Sequence, residues 1–243
     1  STDKTRYDGM IEAHQKLKPG TWFAGGLWKW TGYAPHNGYS MKITKAALAS
    51  CREHGVQDVF LTMWGDDGGE CSPFTLLPSL FYASELAKGE TNDETIKVHF
   101  AQRFGAAFDD FMQLDLPGTR NGLDDNVRNL DKFLLYNDPF MGMMDQTVLS
   151  GEGAQFGACA ERLETLQTLP EWGYLFRTLG ALCRVLEIKA ELGVRIHEAY
   201  RTGDKTALCA MLAKLDETLA RLERFHDAYR AQWMQENKPH GFD

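Results

Sequence analysis

The chain is poor in the features by which several ligand classes are recognised. Lys and Arg number 26 against 34 Asp and Glu, a net charge of −8 over 243 residues, and the basic residues form no cluster. Surfaces that bind phosphate backbones or anionic headgroups need such clusters, so no nucleic acid and no membrane is expected as a partner. A neutral or cationic ligand suits the charge better. The five cysteines, Cys51, Cys71, Cys159, Cys183 and Cys209, are odd in number and include no CxxC pair. That argues against a disulfide framework or a zinc site. Cys159, Cys183 and Cys209 fall within helical apolar patterns, where a free thiol acts as a small hydrophobe, and a reducing, cytoplasmic setting is expected. No apolar run is long enough to span a bilayer; Val59 to Met63 is among the longest. His14, His54, His99, His197, His226 and His240 are scattered, with no HExxH and no i, i+4 pair. Neither a metal nor a cofactor is expected. The nucleophile signature G-x-S-x-G is also missing.

What is present falls into two halves of different periodicity. Residues 1 to about 90 alternate helix and strand. Tyr7, Met10, Ile11, His14 and Leu17 share one helical face, which Pro19-Gly20 ends. Thr21 to Leu27 reads as a strand. A helix from an N-cap at Ser40 to Glu53 follows, and then the apolar run Asp58 to Met63. Continuous apolar runs of that length suit parallel strands buried on both faces. A helix from about Thr75 to Ala87 completes a strand–helix–strand–helix grammar, that of a parallel sheet or (β/α)8 barrel. From residue 91 the strand signals vanish. Thr91 to Glu94 reads as a capping box for a helix through Phe104, and Ala106 to Leu114 as a short helix. Pro117 to Ser150 is irregular, and Glu152 to Leu169 is helical. Two long apolar stripes then run from Leu175 to Tyr200 and from Leu208 to Trp233, joined by the short turn Thr202-Gly203-Asp204. So short a turn makes an antiparallel pair. The fold class is mainly α. A helical C-terminal domain over 91–243 follows two βα units over 1–90 that look like the end of a (β/α)8 barrel.

Chemistry concentrates where the two strands end. In parallel α/β folds, sites form at the carboxyl ends of strands. The second strand runs into Trp64-Gly-Asp66-Asp67-Gly-Gly-Glu70: an indole, then three carboxylates on a tight glycine loop. An indole can stack on the C–H face of a sugar while carboxylates accept hydrogen bonds from its hydroxyls. The bland alternative stands beside this: Asp66 and Asp67 as turn residues and Glu70 as a helix cap. The first strand ends in Trp28-Lys29-Trp30. Trp28 and Trp30 are two apart and share a face of an extended chain, as a sugar platform or as core.

These residues carry a resemblance. Trp22-Phe-Ala-Gly-Gly-Leu-Trp-Lys-Trp-Thr-Gly-Tyr-Ala-Pro-His-Asn37 is similar to the seventh-strand region of bacterial exo-β-N-acetylhexosaminidases of glycoside hydrolase family 20. Phe60 to Glu70 resembles the family's eighth strand. Ile96-Lys-x-x-Phe100-x-x-x-Phe104-Gly105 with Phe108-x-x-Phe111 resembles the start of that subgroup's C-terminal helical domain, and Asn237 to Asp243 a stretch near its end. The resemblance covers nearly the whole chain and is most specific in residues 22 to 70. It implies removal of terminal β-N-acetylhexosamine from a glycan, with the substrate's own acetamido oxygen as nucleophile. It further implies that the Asp-Glu pair orienting that group and protonating the leaving oxygen belongs to a fourth strand with no counterpart here, so that this chain alone is inactive. Trp64 then matches the residue stacking under the sugar, Asp66 the one gripping its distal hydroxyls, and Glu70 a second contact. Trp28 or Trp30 stands where other members place an acetamido-binding Tyr; Tyr33 lies further into the loop. Open strand edges in such a fragment invite pairing with another copy, so a homo-oligomer is expected. The alternative is a helical packing or oligomerisation module with no site of its own.

Overall fold

The computed structural model describes residues 1–120 and 129–242, apart from the side chain of Asp67. It is mainly helical, with two short strands among the described residues, as expected. The chain divides into two compact units, 1–128 and 129–243.

In the first unit, α1 (Lys4–Leu17) begins at Asp3, whose carboxylate accepts from Thr5 N–H. β1 (Phe23–Gly26), α2 (Asn37–Glu53) and β2 (Val59–Thr62) follow. The strands pair in parallel, Phe23 opposite Val59 and Gly26 opposite Thr62, and Ile11, Cys51 and Val56 form a small core with Phe23 against it. Burial on both faces, expected for the second strand, is not found. Val59 and Phe60 are exposed, as is Ala24 on β1. Between α1, β1 and α2 a cavity of about 350 Å³ is lined by Tyr7, Met10, Trp22 and Gly25.

α3 (Leu77–Lys88), α4 (Asp93–Phe104) and the short α5 (Phe108–Met112) complete this unit. Leu48, Tyr82, Leu86 and Ile96 join α2, α3 and α4 in a second core. α4 starts one residue later than a capping box at Thr91 predicts. Asn92 is the N-cap, accepting from Glu94 and Thr95 N–H, while Glu90 accepts from Thr91 and Asn92 N–H. Phe100 is wholly buried and packs edge-on against Phe81 of α3 and against Phe108 and Phe111 of α5.

The second unit contains α6 (Leu130–Tyr136), α7 (Glu152–Leu166), α8 (Gly173–Lys189), α9 (Leu192–Thr202) and α10 (Lys205–Glu236). α8 is central, buried along Leu175, Phe176, Leu179, Leu182, Cys183 and Leu186, and packs on α7, α10 and α6. α7 and α8 approach closely: a Cβ on Gly153 would stand 2.6 Å from the carbonyl oxygen of Glu187. The first of the two expected long helices is broken at Ala190 and Glu191. There the Glu191 carboxylate turns to cap α7, accepting from Gly151 and Gly153 N–H at 3.1 Å each. The leucine stripe on α10 is only partly covered. Phe225 is buried, but Leu219 is 61% exposed, and Leu212, off the stripe, is 62% exposed. Cys209, expected in an apolar setting, is exposed too, whereas the other four thiols are buried. Among the described residues no helix is long and apolar enough to cross a membrane.

Within the irregular stretch, residues 137–150 are tied down by polar contacts. Asp145 accepts from the Asn137 amide at 3.0 Å and meets His197 Nδ1 at 2.6 Å, and His197 Nε2 lies 3.0 Å from the Phe140 carbonyl. Both ring nitrogens thus face acceptors, which only the imidazolium satisfies. The Phe140 carbonyl first, and then Asp145, raise the His197 pKa above its ordinary value. A raised folded-state pKa stabilises fully below the unfolded value of about 6.5 and is lost as pH rises through the folded value. We expect the melting-temperature difference between the wild type and His197→Gln to be largest at pH 5.5 and to shrink by pH 8. A difference that stays constant over that range would show His197 to be neutral in the fold.

Candidate functional site

The two strand ends meet at one edge of the sheet. The ladder closes with Leu27 N–H donating to Thr62 O at 2.9 Å. Thr62 Oγ1 donates back to Gly25 O at 3.0 Å. Beyond these bonds the chain leaves as two loops, one carrying Trp28, Lys29 and Trp30, the other Trp64, Asp66 and Glu70.

The first loop is closed upon itself and upon α2. His36 N–H donates to Trp28 O, and Trp28 N–H donates to Ser40 Oγ at 2.8 Å. Ser40 is therefore not the N-cap that its sequence position predicts; α2 begins at Asn37. The capping carboxylate comes from far along the chain. Asp115 accepts from Gly38 N–H at 2.8 Å and from the Asn37 amide at 2.9 Å. Asn37, fully buried, also donates to Thr75 O and accepts from Ser79 N–H. Burial pushes the Asp115 carboxyl up to about 7, against the pull of the Gly38 and Asn37 donors. This buried junction sets where the first loop re-enters the fold. No local pattern marks it, because the acceptor and the helix end lie 78 residues apart.

Trp28 and Trp30 share a face as expected, and they spend it partly on each other. Their ring centroids are 4.4 Å apart at 32°, and Tyr39 packs edge-on against Trp28 at 5.1 Å. The Trp30 ring also lies across the end of β1: a Cβ on Gly26 would stand 2.9 Å from it and would push the ring aside. Both indoles are half-buried.

The second loop presents its groups outward. Trp64 is 58% exposed. Asp66 opens a single 3-10 turn through Gly68, and its side chain is exposed. Gly69 takes the left-handed conformation, with φ 67°, and returns the chain to the half-buried Glu70. The cap of the next turn is Ser72 rather than Glu70, with Ser72 Oγ accepting from Phe74 N–H at 3.2 Å. Asp67, whose backbone belongs to the turn, has its side chain outside the described residues.

One residue was passed over by pattern reading. Lys29, between the two tryptophans, is only 7% exposed, and its Nζ donates to Trp64 O at 3.4 Å. On an extended chain it points away from its neighbours, which was the available signal. Among the described residues no three His, Cys, Asp or Glu side chains are placed to hold a metal.

Comparison with curated proteins finds no match. Comparison with protein families matches residues 109–243 to the glycoside hydrolase 20C C-terminal domain, a span that opens within α5 and lies beyond the two loops. It covers more than half of the chain and takes in all of the second unit. The chain therefore belongs to the glycoside hydrolase 20C C-terminal domain family, and so to a glycoside hydrolase of family 20.

Proposed function

We propose that the two βα units are the end of a catalytic barrel that removes terminal β-N-acetylhexosamine from glycans. In this reading Trp64 stacks under the sugar and Asp66 accepts hydrogen bonds from its hydroxyls, with Glu70 as a further contact. Trp28 and Trp30 form the wall nearest the acetamido group. The observation that carries the reading is the exposed Trp64 indole past the carboxyl end of the parallel strand β2, two residues before an exposed carboxylate. A core tryptophan would bury its ring; this one offers it to solvent. The open faces of β1 and β2, and the cavity beside them, fit a sheet that continues into further strands.

In the same reading the acetamido oxygen attacks the anomeric carbon, and the proton donor and acetamido-orienting carboxylates come from elsewhere in the barrel. General acid catalysis needs its donor within hydrogen-bond reach of the leaving oxygen. Two strands cannot hold a sugar between donor and platform. The test is hydrolysis of a chromogenic N-acetyl-β-glucosaminide by this chain and by the same protein extended upstream. Turnover by the extended protein alone is the expected result. Turnover by this chain alone would place the acid and base within it and reassign Asp66 and Glu70.

A second reading is favoured by exposed Leu212 and Leu219 on α10: the helical unit packs against another chain, a second copy included, and the strands contribute nothing to a site. The two readings separate on Trp64, whose loss impairs turnover only in the first.

A further inference from the structure

We propose that Lys29 is a positioning residue for the sugar platform, its buried side chain restraining the Trp64 backbone from which the exposed indole projects. The inference rests on the sugar-site reading of Trp64.

The argument begins with burial. A lysine ammonium is seldom fully withdrawn from water, because its desolvation is offset only by charge or good hydrogen bonds. Lys29 is nevertheless 7% exposed, and among the described residues its Nζ donates to a carbonyl, that of Trp64, at 3.4 Å. A leucine or methionine would fill such a volume at lower cost. The ammonium also lies against the root of the acidic loop: a Cβ on Gly65 would stand 3.6 Å from Lys29 Nζ and 3.3 Å from Gly69 Cα. The contact is thus made where the Trp64–Glu70 loop folds back on itself, not at its tip.

Position explains what such a contact does. Past the Leu27–Thr62 bond the loops have left the ladder, and Lys29 reaches from one to the other. Trp64 is mostly exposed, so packing leaves its ring angle loosely set. The ring projects, through its own χ1 and χ2 torsions, from the Cα–Cβ bond, whose direction the backbone sets. The Lys29 ammonium, 3.4 Å from the Trp64 carbonyl, restrains that backbone. The same contact sets the start of the turn bearing Asp66. Lys29 itself is held by its flanks, since Trp28 is bonded to Ser40 and Trp30 rests on Gly26.

The test uses the upstream-extended enzyme in a double-mutant cycle with Lys29→Met and Trp64→Ala, following kcat and KM separately. Lys29→Met is expected to raise KM about tenfold with kcat changed much less, the signature of a lost ground-state contact. In the Trp64→Ala background the same change should add little, because the group it orients is gone. A merely structural lysine would act equally in both backgrounds, and that additivity would overturn the proposal, as would an unchanged KM. If Trp64→Ala leaves KM alone, the sugar-site reading fails instead. Should Lys29→Met not fold, Lys29→Gln, which keeps a donor without the charge, runs the same cycle.

Discussion

Trp64→Ala in the upstream-extended enzyme is expected to lower kcat/KM by about 30- to 1000-fold, the range for truncating a dominant aromatic contact worth about 2–4 kcal/mol. The melting temperature should hardly move. The indole is more than half in solvent, and substitutions at exposed positions cost little stability. That pairing of large kinetic loss with small thermal loss distinguishes a ligand platform from a core residue. It also separates the two functional readings. A helical docking module predicts unchanged turnover, and an oligomeric state measured by light scattering should be the same for both proteins in either case. Unchanged kcat/KM would remove Trp64, and with it the platform, from the site.

Much of this arrangement was legible in the sequence, and the remainder was hidden for identifiable reasons. The helix from Lys4 to Leu17 and the two strands are written in local periodicity and in the stop at Pro19-Gly20, which act within a few residues. The caps were misplaced where a tertiary partner took over. Ser40 looked like an N-cap because a hydroxyl before an apolar face usually is one, yet it serves the Trp28 amide, and Asp115 caps α2 instead. The apolar run from Val59 was read as buried on both faces, since period alone reports the neighbours a strand calls for rather than those it has. The break at Glu191 carries no local mark either: its side chain is bonded across the fold, to Gly151 and Gly153 N–H. At the site, Trp64 and Asp66 stood out because residue type and loop chemistry mark them locally. Lys29 did not, because a lysine between tryptophans reads as solvated until its burial is seen.

Phe100→Ala is expected to destabilise the first unit by about 3–5 kcal/mol, the range for removing a wholly buried phenylalanine. The ring is the hub of an aromatic cluster, 5.6 Å from Phe81, 4.6 Å from Phe104, 5.2 Å from Phe108 and 5.4 Å from Phe111. Edge-to-face pairs add to the area term, and these partners lie on two other helices, α3 and α5, so no single side-chain shift refills the space. Val98→Ala is the control: the same helix, two residues away, at a position exposed to solvent, where the cost should stay within about 0.5 kcal/mol. Denaturant unfolding of the three proteins gives both numbers, and a loss under about 1 kcal/mol for Phe100→Ala would mean that the cluster does not hold α3, α4 and α5 together. The consequence for the site follows from chain order. Phe111 packs on Phe100, and Asp115 lies four residues further on, buried against Asn37 and Gly38 at the start of α2. Loosening the cluster frees that carboxylate, and the loop carrying Trp28, Lys29 and Trp30 re-enters the fold at the helix end it caps. Phe100→Ala should therefore impair sugar hydrolysis in the extended enzyme only near its lowered melting temperature, whereas Trp64→Ala impairs it at every temperature.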